Sequence, residues 1–179
     1  MVEATGTVVD GEHGPELVFQ RLYHLPAREV WAHIAKSDLL EKWIGRWETD
    51  KNTGRVIFYM TAEAGEPQGE ECLVRSCSPP HRLMVDVRTP TGTWHLTVGI
   101  STNLDGTVLT FAHRLGRDDL ASIGPGWEYY LDRLSAVLGG ESADDIAWDD
   151  YYPAMSEHYA AMVPEGGVEP SPPKDGLEH

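Results

Sequence analysis

Apolar residues recur along this chain at two different periods, and each change of period marks the boundary of a predicted element. Residues 16–25 (ELVFQRLYHL) carry apolar side chains mostly at alternate positions, which is typical of a largely buried strand. Pro26 ends that strand and suits the first position of the helix AREVWAHIA, whose apolar residues lie at helical spacing. Ser37 and Asp38 then offer a cap for a second short helix, LLEKWIG, which Gly45 ends.

Residues 47–115 switch to a period of two. The segments RVIFYM, ECLVRS, RLMVDV, TWHLTVGI and TVLTFAHRL are separated by turn-forming runs such as NTG, EPQG, SPPH, TPTG and LDG. In TWHLTVGI, Trp94, Leu96 and Val98 alternate with polar or small residues, which gives that strand one apolar face and one polar face. The regular spacing therefore predicts one antiparallel meander with one face in the core and the other in water.

After Arg117 the period returns to 3.6, which predicts one long helix that stops at Gly139 and Gly140. Residues 142–163 mix aromatic residues with carboxylates, and Pro153 is predicted to open a last short helix there. The apolar stripe of the long helix consists of Trp127, Tyr130, Leu131, Leu134, Val137 and Leu138.

The length of 179 residues is enough to bury one sizeable core but too short for two ordinary domains. We therefore predict a single domain over residues 1–163, with its core at about 16–140 and a C-terminal extension at 141–163. Residues 164–179 are predicted to be a flexible tail, whose last three residues, LEH, look like the remnant of an engineered histidine tag. Residues are 41% hydrophobic and 24% charged, and no apolar run approaches the roughly 20 residues of a membrane span, so a soluble protein is expected.

Charge bears on the class of partner. The formal net charge is −15, with 14 basic against 29 acidic residues, which argues against nucleic acid because phosphates are neutralised by clustered Lys and Arg. Residues 117–163 alone hold ten acidic residues and two basic ones. This acidity either serves solubility or forms an acidic C-terminal surface that docks a partner protein.

Cysteine and acidic residues give no sign of a metal. Cys72 and Cys77 are the only cysteines, and their spacing in one predicted strand would point them to opposite faces, so neither a disulfide nor a zinc site is expected. Unpaired cysteines and an N-terminus without a secretory signal predict a reduced, cytoplasmic location. The acidic residues at 144–150 with His158 match neither a calcium loop nor a zinc helix motif, so no metal or cofactor is predicted.

The order of elements and four local segments resemble one family. The segments are RLYHLPAREVWAHIAKSDLLEKWIG, GEECLVRSCSPPHRLMVDV, DGTVLTFAHRL and GPGWEYYLDRLSAVL. Together they resemble the START-like (SRPBCC) helix-grip superfamily, in the branch of activators of the ninety-kilodalton heat-shock ATPase. The resemblance implies an α+β fold with a curved antiparallel sheet of about six to seven strands, two short helices and one long C-terminal helix. These elements would enclose a cavity of the kind often used for lipids, sterols or polyketides, and no shared catalytic residues are implied.

Side chains that face this expected cavity are the candidate ligand contacts. Three of them are polar, and a buried polar group without a partner is costly, so Arg75, His113 and Tyr130 are the most telling. Trp43 is placed near the cavity mouth. The complete set is Phe58, Met60, Arg75, Val85, Trp94, Leu96, Phe111, His113, Trp127, Tyr130 and Leu134.

Three functions stay open at this point. The first is a non-enzymatic module that binds a small apolar molecule through apolar burial. The second is a cyclase or dehydratase-type enzyme acting on an aromatic or polyketide-like substrate, with His113 or Tyr130 as the acid–base group, which requires polar side chains that converge inside the cavity. The third is an interaction or co-chaperone-like protein that uses the acidic C-terminal surface.

Overall fold

A computed structural model describes residues 2–162 as an α+β structure in which eight antiparallel strands form one sheet. Their order in the sheet is β1-β2-β8-β7-β6-β5-β4-β3. Met1, Val163 and the predicted tail at 164–179 lie outside the described residues. The strands are β1 (Thr7–Gly11), β2 (Gly14–Tyr23), β3 (Arg46–Thr49), β4 (Val56–Tyr59), β5 (Gly69–Ser78), β6 (Arg82–Thr89), β7 (Gly92–Asn103) and β8 (Gly106–Arg114).

The helices lie where the helix-grip order requires them. α1 coincides with the predicted segment AREVWAHIA and buries Val30, Trp31 and Ile34. α3 is the predicted long helix, and Asp119 caps it by accepting a hydrogen bond from the backbone N–H of Ala121. The helices are α1 (Ala27–Ala35), α2 (Ser37–Leu40), α3 (Leu120–Leu138) and α4 (Ser156–Ala160), with 3₁₀ turns at Ala143–Asp145 and Trp148–Asp150.

Two strands were missed by the sequence pattern, which is why the sheet has eight strands instead of the expected six to seven. β1 is short and mostly exposed, so it has no apolar alternation, and its strand pairing is with β2 alone. β3 has four residues, none of them fully buried, and pairs only with β4. Both are edge strands, and short polar edge strands carry little hydrophobic signal.

The predicted helix LLEKWIG is wrong beyond Leu40. The carbonyl oxygen of Leu40 accepts hydrogen bonds from the backbone N–H groups of Trp43, Ile44 and Gly45, so the chain closes into a turn. A Cβ on Gly45 would lie 2.1 Å from the carbonyl oxygen of Tyr59, so only glycine permits this close approach to β4. The turn brings the chain directly into β3.

The last helix also starts later than predicted. Residues 151–155 form a turn, and α4 begins at Ser156 instead of Pro153. Tyr151 and Met155 are both buried in the main core cluster, so packing on the domain sets the backbone there before a regular helix begins.

The two halves of the sheet are covered differently. In β8 every second residue is fully buried, whereas β4 and β5 contain no fully buried residue. We call β1, β2 and β8 with α3 and α4 the packed half, and β3 to β7 the cavity half. The core cluster lies mainly in the packed half, where Leu17, Phe19 and Leu134 are at most 1% exposed.

A buried carboxylate fixes α3 and both chain ends of the packed half. Glu128 is fully buried and accepts hydrogen bonds from the backbone N–H groups of Thr5 and Gly6 and from the Tyr159 hydroxyl. Arg21 also pairs with it, at 2.8 Å. Burial alone would raise the pKa of Glu128, but these hydrogen bonds outweigh it and hold the pKa below its ordinary value. The charged group is therefore fully partnered.

Candidate functional site

A cavity of about 290 Å³ lies between the inner face of the cavity half, α1, the turn after α2, and α3. The strand pairs Leu83–Val98, Val85–Leu96 and Val87–Trp94 place apolar side chains opposite each other on its floor. The alternation predicted for β7 is therefore confirmed. Among the predicted ligand contacts, those that line the cavity are Phe58, Met60, Val85, Trp94, Leu96, Phe111 and Trp127.

The opening of the cavity lies beside β3 and β5. Trp47 and Val74 line the cavity and are still 37% and 45% exposed, and Cys77 is exposed as well. Trp43, which the sequence placed near the mouth, is only 5% exposed and lies deeper. Its ring N–H donates to the carbonyl oxygen of His33 at 2.9 Å, which holds the indole against α1.

A β-bulge turns both cysteines towards the cavity. The pairing of β5 with β6 shifts between Val74 and Ser76, so the inward series runs through Cys72 and Val74 before the bulge and Cys77 after it. The prediction that the two cysteines point to opposite faces is wrong for this reason. Both are free thiols, and burial followed by the charge of Asp86 raises the pKa of Cys72 to about 11.

Arg75 lies on the outer face of the sheet and does not line the cavity. It shares that face with Leu73, and its Nε donates to Asp86 at 2.6 Å. The other oxygen of Asp86 is 2.7 Å from Nδ1 of His95. Burial alone would raise the pKa of Asp86, but the hydrogen bonds from His95 and Arg75 outweigh it and lower the pKa. Arg75 is thus part of an outer-face ion cluster.

His113 points inward, as predicted, but sits behind the cavity wall. It is 0% exposed, and its Nδ1 accepts a hydrogen bond from the indole N–H of Trp127 at 3.0 Å. Its Nε2 therefore carries the proton, and burial lowers the pKa of His113 so that the ring is neutral at neutral pH. The ring supports Trp127, whose indole forms part of the wall.

Tyr130 and Leu134 belong to the core instead of the cavity lining. Leu134 is 0% exposed, and Tyr130 is 7% exposed with its hydroxyl donating to Glu63 at 3.0 Å. This hydrogen bond ties the loop between β4 and β5 to α3. Burial and the charge of Glu63 raise the pKa of Tyr130, so its hydroxyl stays protonated.

Glu70 is a lining residue that the sequence reasoning missed. Among the described residues that line the cavity, Glu70 is the one with a carboxyl group. Its Oε2 atom is buried and has no hydrogen-bond partner in the described structure. Burial, followed by the nearby charge of Glu63, raises the pKa of Glu70. The signal in the sequence was its place two residues before Cys72, on the same strand face, but the predicted strand ECLVRS began one residue after Glu70.

The rest of the described structure offers few other sites. Within residues 2–162 no group of three or more His, Cys, Asp or Glu side chains is placed to hold a metal ion. Over the same residues no helix is both long and apolar enough to cross a membrane. The acidic residues at 144–150 are mostly exposed, and Arg133 approaches Asp144 at 3.6 Å.

Several solved structures share this fold at low sequence identity. CalU16 from Micromonospora echinospora is 21% identical, with a TM-score of 0.67, and the match covers 89% of this chain and 96% of CalU16. A protein from Bordetella parapertussis is 20% identical, with a TM-score of 0.68, over 92% of this chain and 93% of that one. DynU16, a protein in the dynemicin biosynthetic locus, is 18% identical, with a TM-score of 0.61, over 72% of this chain and 49% of DynU16. At these identities the likeness shows the fold alone.

Sequence comparison gives the family directly. No curated protein matches the chain significantly. The model of the family described as Activator of Hsp90 ATPase homolog 1-like protein matches residues 24–139, well over half of the chain. Together with the helix-grip architecture, this match shows that the chain belongs to the Activator of Hsp90 ATPase homolog 1-like family of the SRPBCC superfamily.

Proposed function

We propose that this protein is a non-enzymatic binding module that holds a small apolar molecule in its cavity. The observation that carries the proposal is the cavity of about 290 Å³, whose wall is almost wholly apolar and which opens beside Trp47 and Val74. Its volume lies near the lower end of the roughly 300–1,000 Å³ of typical small-molecule sites. A bound apolar molecule would complete the burial that the half-buried side chains of β4 to β6 lack.

Apolar burial would supply most of the affinity. Each 100 Å² of apolar surface removed from water contributes about 2.5 kcal/mol, from which the entropy lost on association is subtracted. A lipid-, sterol- or polyketide-like molecule offers such surface. The place of DynU16 in a biosynthetic locus supports a ligand of natural-product type, and the free thiols of Cys72 and Cys77 fit action in the reduced cytoplasm.

The wall of the cavity favours binding over catalysis. An acid–base enzyme needs side chains within hydrogen-bond reach of its substrate. His113 and Tyr130, the groups that would do this work, do not line the cavity. Nδ1 of His113 accepts from the Trp127 indole, and the Tyr130 hydroxyl donates to Glu63. The described lining contains one carboxyl group, Glu70, and two thiols, and no pair of groups suited to exchange a proton.

Filling the cavity tests the proposal. Val85→Trp places a large ring in the cavity, and we expect it to weaken binding of the neutral fluorescent probe N-phenyl-1-naphthylamine at least about tenfold, because a filled cavity has no room for a ligand. Met84→Trp is the matched control, since Met84 is the next residue of β6 and is not part of the lining. Fluorescence titration gives both dissociation constants, and mass spectrometry of compounds released on denaturation identifies any co-purified ligand.

Three outcomes of these measurements bear on the proposed binding function. A selective loss in Val85→Trp supports the binding module, and an apolar compound released in stoichiometric amount names its class. Equal binding by both variants places the probe elsewhere on the protein. Absence of both probe binding and released compound contradicts the proposal.

A second candidate function rests on the C-terminal extension. Trp148 and Tyr152 stack at 5.6 Å with their rings within 17° of parallel, and each is 40% exposed. They lie among the exposed acidic residues at 144–150, so a basic protein segment would find both apolar contact and charge complementarity there. Such a complex would weaken as salt is raised and would be lost in Trp148→Ala, whereas the probe affinity of the cavity would not change.

A further inference from the structure

Two neighbouring glutamates on β5, Glu70 and Glu71, lie in opposite environments. Glu71 faces outward, where Arg55 lies 2.6 Å and Arg88 3.4 Å from its carboxylate oxygens. Glu70 faces inward, and none of the ion pairs among the described residues involves it. Among residues 2–162, two arginines thus pair with the outward carboxylate, and no ion pair involves the carboxyl group that lines the cavity.

Glu70 is held on the cavity side by the strand register. It pairs with Phe58 across β4 and β5, and both side chains line the cavity. Cys72 and Val74 follow on the same face of β5. The alternation therefore puts a carboxyl group at the end of a row that is otherwise apolar or weakly polar.

The buried oxygen of Glu70 has no partner from the protein. Its Oε2 makes no hydrogen bond within the described structure. Leaving a carboxyl oxygen buried and unpaired is unfavourable, and an apolar residue at this position would avoid that cost. The raised pKa of Glu70, due to burial and to Glu63, reflects the same lack of compensation.

We propose that Glu70 is the polar anchor of the cavity and that the ligand is an apolar molecule with a hydrogen-bond donor, a hydroxyl or an amine, at one end. The inference rests on the proposed binding function and deepens it. The donor would meet Oε2 of Glu70 while the apolar body packs against Phe58 and the floor of β6 and β7. A carboxylate ligand would instead be repelled by Glu70 and Glu63.

Displacement of N-phenyl-1-naphthylamine by four naphthalenes of similar size tests this inference. They are 2-naphthol, 2-naphthylmethylamine, 2-methylnaphthalene and 2-naphthoate. For the natural protein we expect 2-naphthol or the amine to bind about tenfold more tightly than 2-methylnaphthalene, because a hydrogen bond to a buried carboxyl group is gained. We expect 2-naphthoate to bind more weakly than 2-methylnaphthalene. The ranking of 2-naphthol against the amine distinguishes a neutral donor from a cationic one.

Variants of Glu70 and Glu71 test whether the preference for a donor comes from Glu70. Glu70→Met should abolish the preference for a donor, whereas Glu71→Met, the matched change on the outer face, should leave it intact. Glu70→Gln removes the charge with little change in shape, and it should admit 2-naphthoate even if Glu70→Met folds poorly. Probe binding with no donor preference in the natural protein, or a preference that persists in Glu70→Met, overturns the inference while leaving the binding function standing. Failure of the probe and of every naphthalene to bind overturns both.

Discussion

The packed half and the cavity half each contain one inward-facing glutamate, and the two residues differ in their hydrogen-bond partners. Glu128 in the packed half receives hydrogen bonds from two backbone N–H groups and a tyrosine hydroxyl, and it pairs with Arg21. Glu70 in the cavity half has a buried oxygen with no partner. A buried charge that is fully partnered supports the structure, whereas an unpartnered one is costly and needs another explanation. The comparison separates a structural carboxylate from a candidate ligand anchor.

Apolar side chains show the same contrast. In β8 the inward residues Leu109 and Phe111 are 1% and 5% exposed, because helices cover them. In β4 and β5 the inward residues are only half-buried or exposed, because they lie near the opening of the cavity that Leu109 and Phe111 also line. The difference therefore lies in what covers the strands.

Removing the carboxylate of the packed half should have the largest effect. Glu128→Leu removes the acceptor of the Tyr159 hydroxyl and of the Thr5 N–H and leaves Arg21 paired with Asp132 alone, and we expect a loss of about 3–5 kcal/mol in the free energy of unfolding. Urea denaturation measures it. Glu141→Ala, an exposed acidic residue just after α3, is the control and should change stability by less than about 0.5 kcal/mol. A small effect of Glu128→Leu would mean that the network does not hold the packed half together.

Two glycines of α3 give a matched test of how tightly the packed half is filled. A Cβ on Gly124 would lie 2.1 Å from the ring of Tyr159, whereas a Cβ on Gly126 meets nothing within 4 Å. Gly124→Ala should lower the free energy of unfolding by about 1–3 kcal/mol through overpacking. Gly126→Ala should raise it by about 0.5–1 kcal/mol, because alanine favours helix. Equal effects of the two substitutions in thermal denaturation would contradict the tight contact between α3 and α4.

Lowering the pH should have the smallest effect on stability. The contributions of Glu128 and Glu70 to stability should change in opposite directions as the pH falls. The pKa of Glu128 is lowered, so its stabilising contribution is complete above the unfolded-state pKa and is lost as the pH falls through the folded-state pKa. The pKa of Glu70 is raised, so its ionised form opposes folding above the folded-state pKa, and that cost disappears below the unfolded-state pKa.

Urea denaturation of Glu128→Gln and Glu70→Gln between about pH 7 and about pH 3 checks this difference. The natural protein should be more stable than Glu128→Gln at neutral pH, and the gap should narrow in acid. Glu70→Gln should be at least as stable as the natural protein at neutral pH, and its advantage should shrink in acid. If the stability of each variant relative to the natural protein changes in the same direction as the pH falls, the two carboxyl groups are not in opposite environments.

Much of the fold could be predicted from local pattern. The positions of α1, the long helix α3 and the five strands of the meander follow from apolar spacing, although their ends differ by up to three residues. β1 and β3 were missed because short edge strands have little apolar alternation. The site was harder to predict. Seven of the predicted contacts line the cavity, but Arg75, His113, Tyr130 and Leu134 do not, and Glu70 was missed.

The sequence by itself determined the positions of the longer strands and helices and most of their apolar faces, because periodicity is a local property of the chain. Only the tertiary structure decided what covers each apolar face. The bulge between Val74 and Ser76 turned Cys77 inward, the pairing of β5 with β4 put Glu70 beside Phe58, and the position of α3 left one half of the sheet facing a cavity. These outcomes depend on contacts between residues far apart in the chain, which no local pattern records.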